Sequence, residues 1–106
     1  MSEARKIYET ELQNLLELKQ KEWPEATMED MLWAYPALQS RIESHWKEFR
    51  PKELKTLKAG NLLQLMTAVR ANRLMNMVAE LERAGFRRHE AMHMAEKEYL
   101  YLPEES

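Results

Sequence analysis

The scarcity of glycine is the feature that most restricts the fold of this chain, because only Gly60 and Gly85 occur in 106 residues. A β-sheet protein needs a turn every few residues, and those turns draw heavily on Gly, Asn and Asp. Long glycine-free stretches with apolar residues three or four apart instead indicate amphipathic helices. The sequence therefore predicts an all-α fold, a compact bundle or orthogonal array of five to six helices.

Proline and capping residues predict where the helices of the first half begin and end. A first helix is expected over residues 3–23, and Pro24 ends it because proline cannot continue the backbone hydrogen bonds. Thr27 with Asp30 three residues later resembles a capping box for a short second helix. Pro36 suits the first turn of a third helix, where its missing N–H costs nothing. Arg50-Pro51 interrupts the chain again, and Leu54 and Leu57 predict one or two helical turns before Gly60.

Glycine and asparagine predict the helix ends of the second half. Gly60 is a suitable C-terminal cap for the short fourth helix, and Asn61 is expected to cap the longest helix, over residues 62–83. Gly85 ends that helix, and a last helix is expected over residues 87–99.

Apolar spacing predicts which helix faces enter the core. In the first helix the expected buried stripe contains Tyr8, Leu12, Leu15 and Leu16, and in the third helix it contains Trp46 and Phe49. The longest helix has one broad apolar face, formed by Leu62, Leu63, Met66, Val69, Leu74, Met77, Val78 and Leu81.

Length and composition predict one domain over residues 1–106, with residues 103–106 fraying. Cysteine is absent, so disulfides and thiolate metal sites are excluded. No run of 18 uncharged apolar residues occurs, so no membrane contact is expected, and a cytoplasmic location follows by default. No cofactor is expected either, since two isolated glycines cannot form a phosphate-binding loop.

The charge distribution raises the possibility of an anionic partner. The net charge is −2, yet residues 31–88 carry 11 Lys and Arg against 5 Asp and Glu, giving +6. The densest part is a basic segment over residues 41–58. Its cations, which surround Trp46 and Phe49 and could contact phosphates, are Arg41, Lys47, Arg50, Lys52, Lys55 and Lys58. One alternative function is therefore nucleic-acid binding, although helical spacing favours a core role for the two aromatics.

Residues 89–93, His-Glu-Ala-Met-His, match the H-E-x-x-H pattern and resemble the motif of zinc metallopeptidases over those five residues. On a helix, His89 and His93 could bind zinc while Glu90 acts as general base. Such a site needs a third ligand, and the 13 residues after His93 contain no histidine. A metal site or zinc hydrolase is therefore a second alternative, and the simpler interpretation is a polar helix face.

Two arginines and several methionines of the second half suggest an interface. Arg70 and Arg73 fall within the apolar face of the longest helix, where they need either a carboxylate from the first or last helix or a partner molecule. Flexible methionines suit a surface that accepts a partner helix, and Met75 is expected to be exposed. The candidate interface residues are Arg70, Arg73, Met66, Met77 and Met75.

With no catalytic arrangement evident, the favoured interpretation is a small protein–protein interaction module without enzymatic activity. It would act as an adaptor, inhibitor or regulatory subunit, with a protein partner or a second copy of itself.

Overall fold

A computed structural model describes residues 3–100, with side chains described from Arg5 onward, and the predicted fraying of residues 103–106 lies outside that part. Six helices and no strand occur in the described part, which confirms the predicted all-α fold. None of these helices is both long and apolar enough to cross a membrane. The helices are α1 (Glu3–Glu22), α2 (Met28–Leu32), α3 (Pro36–Phe49), α4 (Pro51–Ala59), α5 (Leu63–Arg83) and α6 (Arg88–Tyr99).

Helix α5 is the centre of the domain, since every other helix packs against it. Its apolar residues therefore fall into two groups on different sides. One side joins α3, α4 and α6 in the main core, where Trp46, Ile42 and Leu74 are completely buried. The other side joins α1 and α2 in a smaller core built from Leu15, Met31, Leu65 and Val69.

Most predicted helix ends are confirmed by their hydrogen bonds. The Thr27 N–H donates to Asp30 Oδ2 at 2.9 Å and the Asp30 N–H donates to Thr27 Oγ1 at 3.0 Å, which completes the capping box. Pro36 is the first residue of α3. Gly85 has φ +106° and lets the Phe86 N–H donate to a carbonyl of the last turn of α5, as a helix-ending glycine does.

Two local predictions are wrong. Asn61 does not cap α5; with φ 57° it is the left-handed residue that ends α4, and it directs the Leu62 N–H to Leu57 O at 2.8 Å. Asparagine tolerates that conformation better than most residues, so Gly60 can remain right-handed at φ −87°. Tyr8 is 46% exposed rather than buried, because α1 turns its neighbour Ile7 toward the main core.

Candidate interaction surface

Three aromatic side chains are exposed together near the α2–α3 connection, and we call them the aromatic corner. They are Trp33 at 63% exposure, Trp23 at 46% and Tyr35 at 37%. Trp23 follows the end of α1, and the other two lie between α2 and α3. Grouped exposed tryptophans are uncommon on monomer surfaces and are enriched at protein interfaces.

The aromatic corner has a defined geometry. The rings of Trp23 and Tyr35 stack with centroids 6.4 Å apart and an angle of 9° between their planes. Tyr35 also has left-handed backbone angles, φ 52° and ψ 56°, directly before Pro36. Such angles are unfavourable for a residue with a bulky side chain, so the surrounding structure must hold them in place.

Buried polar side chains hold this connection. Gln39 Nε2 donates to Leu32 O at 2.9 Å and to Ala34 O at 2.8 Å, on either side of Trp33. Gln39 Oε1 in turn accepts from Thr67 Oγ1 at 2.9 Å. The buried amide of Asn72, on α5, donates to Met31 O at 3.1 Å, and Gln64 donates to Leu32 O. These bonds satisfy carbonyls at the end of α2 and fix the chain that carries Trp33 and Tyr35.

A groove with an acidic edge lies between Trp23 and Trp33. It has a volume of about 670 Å³, and its remaining lining residues are Glu25, Ala26, Glu29 and Asp30. That volume is within the range of ligand-binding sites. Residues 22–30 contain four acidic residues and no basic residue, so the groove carries a local negative charge.

The interface residues predicted on α5 occupy three different environments. Met66 is 9% exposed and belongs to the main core, so its side chain is not at the surface. Met75 was expected to be exposed, but it and Met77 are half-buried against that core. Arg70 and Arg73 are also half-buried, and within residues 3–100 neither forms an ion pair with a carboxylate.

Arg70 lacks the close carboxylate partner that the sequence suggested. Burial lowers the pKa of its guanidinium, and the negative charge of Glu11 on α1 opposes that effect. The first helix thus supplies a longer-range compensating charge instead of a direct contact. Of the two alternatives that the sequence left open, a carboxylate contact is not observed for Arg70, and a partner at this face stays a prediction.

The basic segment over residues 41–58 is exposed but lacks a free aromatic. Arg41 pairs with Glu96 at 3.5 Å and Arg50 pairs with Glu53. The side chains of Lys47, Lys52, Lys55 and Lys58 are exposed. Trp46 is completely buried and Phe49 packs on His45 with ring centroids 4.7 Å apart. The expected core role of Trp46 is therefore observed, and this tryptophan is not available to stack a base.

The residues of the H-E-x-x-H match lie at the exposed start of α6. His89, Glu90 and His93 are all exposed. Within the described part of the chain, no group of three His, Asp or Glu side chains is placed to hold a metal ion. The match therefore has no supporting third ligand among residues 3–100.

The aromatic corner was missed at the level of sequence, although a local signal exists. Trp23 directly precedes Pro24, Tyr35 directly precedes Pro36 and Trp33 lies two residues before Tyr35, so all three lie outside the amphipathic stripes of the long helices. Aromatic residues in short connections beside prolines have few helical neighbours to bury them. That position predicts partial exposure, but not that the rings of Trp23 and Tyr35 stack.

No known protein family, curated protein or solved structure gives a significant match to this chain.

Proposed function

We propose that this chain is a small protein–protein interaction module, an adaptor, inhibitor or regulatory subunit without catalytic activity, and that it binds its partner through the aromatic corner. The observation that carries the proposal is the exposure of Trp23, Trp33 and Tyr35, together with the side-chain hydrogen bonds that hold the connection carrying Trp33 and Tyr35. This moves the expected interface from the Arg70 and Arg73 face of α5 to the α2–α3 connection.

The aromatic corner has two properties that favour tight binding of a protein partner. Tryptophan and tyrosine dominate the binding energy of many interfaces because they bury large areas and lose few rotatable bonds. A surface that is already held in its binding geometry loses less entropy when a partner docks. Both properties coincide at this corner, which supports protein binding over a role in stability alone.

Affinity purification with matched variants tests the proposal. Tagged wild-type protein, Trp33→Ala and Tyr8→Ala would serve as baits at low salt in extracts of the native source. Tyr8 is a suitable control because it is as exposed as Trp23 but lies about 20 Å away along α1. We expect a partner in stoichiometric amount with the wild type and with Tyr8→Ala, and at least tenfold less with Trp33→Ala.

Two results would contradict the proposal. Equal recovery of the partner by Trp33→Ala would separate binding from the aromatic corner. Recovery of nucleic acid that dissociates as salt rises would instead favour the basic segment over residues 41–58. Sedimentation of the purified protein checks self-association separately, since a homodimer would have twice the 12.7 kDa mass of the chain. The predicted cytoplasmic location stays a prediction.

A further inference from the structure

We propose that the groove between Trp23 and Trp33 recognises an arginine side chain presented by the partner protein. This inference rests on the proposed function and specifies the chemistry of its partner. Two indole rings contribute to the groove lining, and both are exposed, Trp23 at 46% and Trp33 at 63%. An aromatic face attracts a cation through its quadrupole, and tryptophan does so most strongly.

The acidic side chains of the groove supply the complementary charge. Asp30 Oδ2 accepts the Thr27 N–H, which leaves the other carboxylate oxygen available. Glu25 and Glu29 are exposed, and among residues 3–100 neither has a cationic partner. A cation in the groove would therefore meet carboxylates that have no competing ion pair.

Two lysines near the end of α1 are engaged in other contacts. Lys19 Nζ donates to Pro24 O at 2.8 Å, and Lys21 Nζ pairs with Glu80 on α5 at 2.6 Å. Neither lysine lines the groove. Lys19 lies beside the groove through its bond to Pro24 O, but no cation of the described residues forms an ion pair with Glu25, Glu29 or Asp30. A cationic ligand is therefore favoured over an anionic or purely apolar one.

Arginine fits this combination of groups better than the other cations. Its planar guanidinium stacks on aromatic faces, donates to carboxylates in pairs and is more weakly hydrated than an ammonium group. A divalent metal is disfavoured, because the acidic side chains of the described residues are not grouped to hold one. The groove is also prearranged, since Trp23 is stacked on Tyr35 and Trp33 is carried by the hydrogen-bonded connection.

A titration followed by NMR tests this inference without the natural partner. The probe is N-acetyl-arginine N-methylamide, and its control is the citrulline equivalent, which has nearly the same shape but no charge. The indole N–H signals of the three tryptophans report the result separately. Trp46 is an internal control, since it is completely buried in the main core.

We expect the arginine probe to shift the signals of Trp23 and Trp33 with millimolar affinity and to leave Trp46 unchanged. The citrulline probe should bind the wild-type protein at least about fivefold more weakly than the arginine probe does. The arginine probe should bind the Glu25→Gln/Glu29→Gln variant more weakly by a similar factor. Added salt should weaken binding of the arginine probe. Both substituted residues are exposed, so the variant should keep the wild-type circular dichroism spectrum.

Equal binding of the two probes, or shifts confined to Trp46, would overturn the inference. So would arginine binding that is unaffected by Glu25→Gln/Glu29→Gln. If the arginine probe does not bind but Trp33→Ala still abolishes capture of the partner, the protein-interaction function is supported and only the recognition of an arginine side chain is wrong. If the arginine probe binds as expected but Trp33→Ala does not reduce capture of any partner, the groove is supported as an arginine site and the proposed interaction function is wrong.

Discussion

Replacing Gln39 with leucine should destabilise the fold and loosen the aromatic corner. The variant removes two donations from Nε2, to Leu32 O and Ala34 O, and the two bonds that Oε1 accepts, from Thr67 Oγ1 and Gln64 Nε2. Leu32 O keeps the donation from Gln64, but Ala34 O keeps no other donor among the described residues. With about 1 kcal/mol for each net hydrogen bond, and more for a carbonyl left without a partner, we expect a loss of about 2–4 kcal/mol.

Urea unfolding followed by circular dichroism measures this loss directly. The free energy of unfolding should fall, while its slope with urea concentration should stay unchanged, because wild type and variant expose nearly the same surface area when they unfold. Heating should show a decrease in Tm of roughly 10–25 °C. Ser40→Ala is the matched control, because Ser40 is the exposed neighbour on α3 and its loss should change stability by less than about 0.5 kcal/mol.

The same variant tests whether the connection is held by Gln39 or by its apolar surroundings. Thr67→Val combined with Gln39→Leu should cost less than the sum of the two single variants, because both remove the same bond. A loss below about 0.5 kcal/mol for Gln39→Leu would refute the reasoning. It would mean that packing alone holds Trp33 and Tyr35 in position.

Three further predictions concern other parts of the domain. Ala91 is completely buried where α6 packs in the main core, so Ala91→Leu should lower the free energy of unfolding by about 1–3 kcal/mol through overpacking, measured in urea. Tyr35→Gly should change stability by no more than about 1 kcal/mol, because relief of the left-handed backbone offsets the lost ring contact, yet partner capture should fall. The exposed Lys21–Glu80 pair should contribute only a small stabilisation that depends on pH. Its hydrogen bond and charge lower the pKa of Glu80 and raise that of Lys21, so the contribution is lost as pH falls through the lowered carboxyl pKa, below 4.5, and as it rises through the raised ammonium pKa, above 10.5. The difference in unfolding free energy between wild type and Glu80→Gln should therefore shrink at both extremes of pH, and a constant difference would contradict the assignment.

Helix number and most helix ends could be predicted because their causes are local. The Thr27 capping box, the first-turn Pro36 and the helix-ending Gly85 each act within about four residues of chain. Asn61 was assigned to the wrong helix for the same reason: its side chain suits either an N-cap or a left-handed C-terminal position, and local sequence does not choose between them.

The candidate site could not be predicted, because it depends on contacts between distant parts of the chain. Gln64 and Thr67 lie 25 and 28 residues beyond Gln39, and Asn72 lies 41 residues beyond the carbonyl of Met31 that it satisfies. Helical spacing gives the face on which each polar residue lies, but not the neighbouring helix that it meets. The predicted surface at Arg70 and Arg73 was derived from one helix considered alone, and it could not include the groove formed at the end of another.

The aromatic corner brings together features that are uncommon in a small helical domain, and their concentration supports a binding role. Tyr35 adopts backbone angles that glycine would adopt more easily. Gln39, Thr67 and Asn72 are buried polar residues where apolar side chains fill the rest of the core. Trp33 leaves most of its surface in water. Each feature is unusual by itself, and all of them lie at or contact the chain between α2 and α3. Where local rules are broken together, selection for a site is a better explanation than selection for the fold.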